Sequence, residues 1–120
     1  MILLALSEGI FQKTKKLLEK ENLKYKRIDD GEKLFEIAQE VKPELIILEK
    51  DIPMLDGFAV TLLLKADKTT NEIPVLVICK CAYKEEEIKA RDCGADCVIN
   101  YPFDEKLFIE IIKKLMREGK

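Results

Sequence analysis

The sequence contains no histidine, and this absence excludes several kinds of chemistry at once. Histidine is the commonest side chain that changes protonation near neutral pH, and it is a frequent zinc ligand. A chain of 120 residues that lacks histidine also cannot carry a phosphoryl group on an imidazole nitrogen. Histidine-dependent catalysis and a role as histidine phosphodonor are therefore excluded for this chain.

An excess of basic residues and a long apolar run are missing as well. The chain has 21 Lys and Arg against 23 Asp and Glu, which gives a formal net charge of −2. A nucleic-acid surface normally needs clustered basic charge. No apolar run approaches the roughly 20 residues of a membrane span, and residues 1–6 are too short for a signal peptide. We expect a cytoplasmic domain that binds neither nucleic acid nor membrane.

What the sequence does contain is a strict alternation of apolar strands and amphipathic helices. Segments 2–6, 45–48 and 75–78 are continuous apolar runs, which is typical of strands buried on both faces. Segment 25–28 is more polar and fits a sheet edge, and segment 97–99 is short. Three helices are expected after the capping residues Ser7, Asp30 and Asp104. Two more are expected, one that Asp56-Gly57 opens and one at about residues 84–93.

Five strand–helix units of this kind predict one α/β domain over residues 1–120. The expected architecture is a three-layer sandwich of flavodoxin-like type, in which five helices cover a five-stranded parallel sheet of order 2-1-3-4-5. In such sheets the functional crevice lies outside the carboxyl ends of the strands. The segments that follow the strands are therefore the candidate site.

The four cysteines, Cys79, Cys81, Cys93 and Cys97, raise the possibility of a metal site. In a cytosolic chain they are expected to be thiols and not disulfides. The predicted fold puts the first two at the crevice and the last two near the opposite edge, so they cannot share one zinc ion at about 2.3 Å. We expect small, mainly buried residues. Cys81 is expected to be the most reactive, and no metal is expected.

Several stretches resemble the receiver (CheY-like) domains of two-component response regulators. They are Pro-Glu-Leu-Ile-Ile-Leu at 43–48, Pro-Met-Leu-Asp-Gly at 53–57, Ile-Pro-Val-Leu-Val-Ile at 73–78, Gly-Ala-Asp at 94–96 and Pro-Phe at 102–103. Each stretch is short, but their order and spacing together are specific and cover nearly the whole chain. The resemblance implies the flavodoxin-like fold and a role in two-component signalling or a phosphorelay.

The resemblance also implies a reaction centre, and none of its positions keeps the usual residue type. Receivers use two acids after the first strand to hold magnesium, an Asp after the third strand to accept the phosphoryl group, and a hydroxyl, an aromatic residue and a Lys nearby. The acidic pair falls on Leu6 and Ser7, or on Ser7 and Glu8 after a slip of one residue. The acceptor position is Glu49, and the last three positions are Cys79, Val98 and Tyr101.

These replacements predict a degenerate centre, as in a pseudo-receiver. Leu6 cannot bind a metal, and Tyr101 supplies no cation to offset the charge of a transferring phosphoryl group. Glu49 is longer than Asp by one methylene, and a displaced nucleophile can lose about 100-fold in rate. We expect neither autophosphorylation nor a bound magnesium ion. A loose cation site at Glu8, Glu49 and Asp51 remains as a weak alternative.

Glu49 itself has three interpretations. It is a residue left at the mouth of an inactive site, a mimic of a phosphorylated Asp, or a working acceptor. The inactive site is favoured, because the residues that would respond to the mimic are replaced at Cys79, Val98 and Tyr101. By the same resemblance, the bond between Tyr101 and Pro102 is expected to be cis, as the family's Lys-Pro bond is.

The predicted third helix has an apolar face in addition to the one that enters the core. Val60 and Leu64 should face the core, so a second stripe of apolar side chains is left on the side that is normally polar. A helix that is apolar around most of its circumference is usually covered by another surface. We expect a partner or self-association surface at Ala59, Leu62, Leu63 and Ala66.

The sequence is compatible with three functions. The first is a receiver-like module that signals through protein contacts independently of phosphate and is not an enzyme. The second is an atypical receiver that is phosphorylated on Glu49 or Asp51. The third is a flavin or nucleotide enzyme on the same fold, which is disfavoured because residues 7–11 lack the Ser, Thr and Gly run that cradles a phosphate.

Overall fold

The computed structural model describes residues 1–80 and 84–118. Strands and helices alternate along the chain as predicted, and Cys81 lies outside the described residues. The elements are β1 (Ile2–Ala5), α1 (Glu8–Lys20), β2 (Tyr25–Arg27), α2 (Gly31–Val41), β3 (Leu45–Glu49), α3 (Gly57–Ala66), β4 (Val75–Cys79), α4 (Lys84–Asp92), β5 (Cys97–Asn100) and α5 (Glu105–Glu118).

The sheet is parallel throughout, with strand order β2-β1-β3-β4-β5. This confirms the predicted flavodoxin-like order. Every residue of β1, β3 and β4 is buried, because helices cover both faces of these inner strands. The edge strand β2 has only three residues, all at least partly exposed, which agrees with its polar sequence.

Two hydrophobic cores lie on opposite faces of the sheet. The first packs side chains such as Leu4 and Ile47 against α1 and α5, with Phe108 fully buried at its centre. The second packs Leu3 and Ile46 against α2, α3 and α4. Successive strand residues point to opposite faces, so each apolar run supplies both cores, and the molecule is the predicted three-layer sandwich.

The helix starts explain how the loops at the carboxyl edge are held. Asp30 caps α2 as predicted, and Asp56, where α3 was expected to open, caps α3. Their side chains accept hydrogen bonds from the backbone N–H groups of Lys33 and Ala59, at 2.8 and 2.9 Å respectively. Ser7 does occupy the N-cap of α1, but its side chain makes no capping hydrogen bond, so that prediction is correct only for position. A Cβ added at Gly57 would lie 2.4 Å from the carbonyl oxygen of Glu49, so α3 begins directly against the end of β3.

A cluster of polar side chains joins elements at the amino-terminal ends of the strands. The Lys65 Nζ donates to the Ile73 carbonyl at 2.8 Å and pairs with Asp96 at 2.7 Å. The same Asp96 carboxylate accepts the backbone N–H of Val75 at 2.8 Å. The end of α3 is therefore tied to the starts of β4 and β5. In the described ranges, no helix combines the length and apolar character needed to cross a membrane.

Candidate functional site

The register of the sheet brings the candidate residues to one edge. Glu49, at the end of β3, pairs with Ile78, and Cys79, at the end of β4, pairs with Asn100. Because parallel strands end on the same side, the segments after β1, β3, β4 and β5 meet there. The crevice predicted from the sequence is thus the place where Leu6, Glu49, Cys79 and Tyr101 converge.

Glu49 is a buried carboxylate whose side chain is already engaged. Only 7% of the residue is exposed, and its Oε1 accepts a hydrogen bond from the backbone N–H of Ser7. The two residues are 42 positions apart, so this bond joins the ends of β3 and β1. A buried carboxylate needs such donors to offset its loss of hydration. Glu49 therefore links the ends of β1 and β3 within the crevice.

The residues at the acidic-pair positions lie in different environments, Leu6 in the core and Glu8 on the surface. Leu6 is buried in the core beneath α1 and α5, and its carbonyl accepts from the Arg27 guanidinium at 3.1 Å. Glu8 is exposed, pairs with Arg27 at 2.7 Å and accepts from Gln12 at 2.7 Å. These hydrogen bonds, first from Gln12 and then from Arg27, hold the pKa of Glu8 below its ordinary value. Its carboxylate thus serves to join α1 to β2.

Asp51 is the remaining acid at this edge, and it is exposed. It borders an open pocket of about 290 Å³ between the β1–α1 and β3–α3 loops, lined by Leu6, Ser7, Arg27, Asp29, Asp51, Ile52 and Pro53. Across residues 1–80 and 84–118, no three Asp, Glu or Cys side chains converge closely enough to hold a metal ion. The structure does not gather Glu8, Glu49 and Asp51 into one cage.

The positions of the hydroxyl and the switch aromatic are filled by apolar packing. Cys79 is 1% exposed at the end of β4, and Val98 packs against the core beneath α2, α3 and α4. Cys79 is disulfide-bonded, so the expectation of thiols is wrong at this position. That expectation rested only on the redox state assumed for the surroundings of the chain, whereas disulfide formation also depends on local geometry. Cys93 and Cys97 are free, and burial raises the pKa of both thiols.

Tyr101 stands where receivers carry the Lys, and the predicted cis bond to Pro102 is confirmed. Its ring packs edge-on against Phe103 with centroids 5.7 Å apart, and Phe103 stacks on Phe108 at 4.3 Å. An aromatic series thus leads from the crevice into the core. Tyr101 is half-buried at its outer end.

Two lysines that the sequence analysis missed flank this ring. The ammonium of Lys13, on α1, lies 5.5 Å from the Tyr101 centroid, and that of Lys80, just after β4, lies 5.6 Å from it. A signal was present for each. Lys80 directly follows a predicted strand, and Lys13 comes three residues after Ile10 and so borders the buried face of its helix.

The α3 stripe, defined as Ala59, Leu62, Leu63 and Ala66, lies on the outside of the molecule. Leu62 is 54% and Leu63 is 41% exposed, whereas Val60 and Leu64 on the inner side are fully buried. Ala66 is exposed and Ala59 is partly so. The sequence therefore predicted correctly which side of α3 faces the core.

Comparisons with known proteins agree with the fold. The response regulator receiver domain family matches residues 7–113. The chain is 30% identical over 103 residues to the polar-differentiation response regulator DivK of Brucella anthropi, covering 86% of this chain and 84% of DivK. It is 34% identical over 88 residues to the DNA-binding regulator RpaA of Synechocystis, covering 73% of this chain but only 36% of RpaA.

Solved receiver domains have the same fold. The receiver domain of a signal transduction histidine kinase from Syntrophus aciditrophicus superposes with a TM-score of 0.89 at 24% identity, over 97% of this chain and 89% of that one. A receiver domain of a Pseudomonas aeruginosa sensor histidine kinase, which holds magnesium in its active-site cleft, gives 0.86 at 18% identity, over 97% and 96%. At this identity the likeness concerns the fold alone.

Fold and crevice together define a CheY-like signalling domain. The family match extends over most of the chain, so the protein belongs to the response regulator receiver domain family of two-component signalling.

Proposed function

We propose that this receiver domain signals through protein contacts that do not depend on its phosphorylation, and that it has no enzymatic activity of its own. The supporting observation is the state of Glu49. Its carboxylate is 7% exposed and already accepts the N–H of Ser7. To reach a phosphoryl donor the carboxylate would have to leave this buried position, and a movement that breaks the hydrogen bond to Ser7 would cost about 1–3 kcal/mol for the unpaired group.

The electrostatics of the crevice support the same proposal. Phosphoryl transfer depends on cations that offset the charge on the transferring group. The Leu6 side chain offers no oxygen ligand, Glu8 is paired with Arg27, and Tyr101 supplies no cation where a Lys would stand. The ammonium groups of Lys13 and Lys80 lie against the Tyr101 ring and not at the position of that Lys. Magnesium prefers an octahedral shell of oxygens. We therefore propose that the domain works without magnesium.

The direct test is exposure of ¹⁵N-labelled protein to magnesium with beryllofluoride, and separately with acetyl phosphate. We expect no change in the backbone NMR signals of Glu49, Asp51 and Tyr101, and no phosphoryl adduct in the intact mass. A receiver that keeps the acidic pair, the Asp and the Lys serves as positive control in the same buffers. Shifts centred on Glu49 together with an adduct would contradict the proposal.

The second candidate function is phosphorylation on Asp51. The supporting observation is that Asp51 is exposed and borders an open pocket that Arg27 also lines. An adduct that forms on the natural protein and is lost in Asp51→Asn would establish it. An adduct that persists in Asp51→Asn but is lost in Glu49→Gln would assign the acceptor to Glu49 instead.

We also propose that the α3 stripe is covered by a partner protein or by a second copy of the chain. Two exposed leucines at consecutive positions, between two alanines, leave apolar surface in contact with water, which costs free energy. Leu62→Glu with Leu63→Glu should abolish any self-association seen by light scattering at high concentration, and should weaken partner binding. Ile88→Glu with Leu107→Glu is the matched control, since these residues are 49% and 46% exposed on other helices. Equal behaviour of both double variants would refute the proposal.

A further inference from the structure

Two lysine side chains lie against the Tyr101 ring at the crevice. Lys13 and Lys80 come from separate elements, and each ammonium lies within 5.6 Å of the Tyr101 ring centroid. Lys13 is also 4.8 Å from the Phe103 centroid. Cations at this distance are attracted by the negative face of an aromatic ring, by about 0.5–1 kcal/mol at exposed sites. The aromatic rings therefore hold both ammonium groups near the crevice.

Neither ammonium group is neutralised by a carboxylate of the described chain. Other lysines are paired with acids: Lys50 with Glu86, Lys65 with Asp96, and Lys113 with Glu21. No described carboxylate comes within 4.0 Å of Lys13 or Lys80. The Lys13 Nζ does donate to the Phe103 carbonyl, but at 3.4 Å and without charge compensation. Two positive charges are thus left without a carboxylate partner among the described residues, in a chain whose net charge is −2.

The ring between them is held firmly. Tyr101 packs against Phe103, which stacks with nearly parallel planes on the fully buried Phe108. A half-buried tyrosine on such a support offers contact area with little loss of conformational freedom on binding. Tyrosine is also among the residue types that dominate binding energy at protein interfaces.

We propose that Lys13, Tyr101 and Lys80 form a docking site for an acidic segment of a partner protein, through carboxylates that contact both ammonium groups. This inference deepens the proposed function and rests on it. The aromatic surface favours a peptide over free phosphate, because a peptide can pack apolar atoms on the ring while its carboxylates reach the lysines. Since Lys80 is exposed and Lys13 partly so, the attraction should weaken as salt rises.

The test uses a fluorescein-labelled peptide of consecutive glutamates as probe, with the full chain at low ionic strength. Fluorescence anisotropy gives the affinity, and ¹⁵N NMR gives the location. We expect Lys13→Gln with Lys80→Gln to weaken binding at least about fivefold. The matched control is Lys24→Gln with Lys68→Gln, which removes the same charge from exposed positions elsewhere and should change affinity less than about twofold. NMR shifts should centre on Tyr101.

Each other outcome overturns the inference. Equal weakening by both double variants would show general charge attraction, and absence of binding would show that no such site exists. Displacement of the peptide by inorganic phosphate, but not by chloride at equal ionic strength, would assign the cluster to phosphate. The beryllofluoride experiment is independent of these results. If the protein responds to beryllofluoride and still binds the peptide at this site, only phosphorylation independence is refuted. If the protein does not respond to beryllofluoride and does not bind the peptide, only the docking site is refuted.

Discussion

At the scale of single residues, Glu49 shows where sequence reasoning succeeds and where it stops. Its position followed from counting along the third strand, and the burial of that strand followed from its apolar sequence. Its hydrogen bond to Ser7 could not be foreseen, because it joins residues 42 positions apart and depends on how two loops meet. For the same reason Lys13 and Lys80 escaped notice, since each contacts Tyr101 only in the folded chain.

The hydrogen bond of Glu49 gives a prediction about stability. Glu49→Gln keeps a side-chain oxygen that can accept the Ser7 N–H, so its free energy of unfolding should stay close to that of the natural protein. Glu49→Ala removes the acceptor and leaves the donor without this partner, which should lower the free energy of unfolding by about 1–3 kcal/mol. Urea unfolding followed by circular dichroism measures both. Equal losses in the two variants would show that the bond does not contribute.

At the scale of elements, all ten strands and helices were predicted, because periodicity and capping residues are local signals. The contacts between elements were less accessible. Ser7 occupies the cap of α1 without capping it through its side chain. The sequence marked Gly57 as part of a family stretch, but only the structure shows the reason for glycine, which is the 2.4 Å approach of an added Cβ to the Glu49 carbonyl.

This close approach predicts a clear contrast between two glycines. Gly57→Ala should force α3 away from β3 and lower the free energy of unfolding by about 1–3 kcal/mol. Gly9→Ala, in the first turn of α1, meets nothing within 4 Å and should raise it by up to about 1 kcal/mol, because alanine favours the helix. Thermal unfolding of both variants is the measurement. A neutral Gly57→Ala would show that α3 can shift without cost.

At the scale of the whole molecule, the topology was predictable because alternating strands and helices with right-handed crossovers allow few arrangements. The match of the strand order to β2-β1-β3-β4-β5 reflects this restriction. The contents of the crevice were predictable only as a set of segments. Which side chains touch there depends on rotamers and loop paths that the strand pattern does not determine.

The burial of the sheet predicts a gradient of stability from its centre to its edge. Residues of β1, β3 and β4 are all buried, whereas β2 has three partly exposed residues. Hydrogen-bonded amides of the three inner strands should exchange with solvent only on global unfolding, and those of β2 at least about tenfold faster through local opening. Hydrogen exchange followed by NMR measures this difference. Uniform exchange across all five strands would contradict it.

The buried carboxylate of Glu49 also bears on timing. An acyl phosphate decays by hydrolysis, so an ordinary receiver returns to its unphosphorylated state after a characteristic time. A glutamate side chain that holds the Ser7 N–H has no such decay, and nothing needs to be added or removed to reset it. Under the proposed function, the strength of the signal therefore follows the amount of the domain and does not decay with time. The cell would adjust the signal by changing how much of the protein is made or degraded, on the timescale of synthesis and turnover.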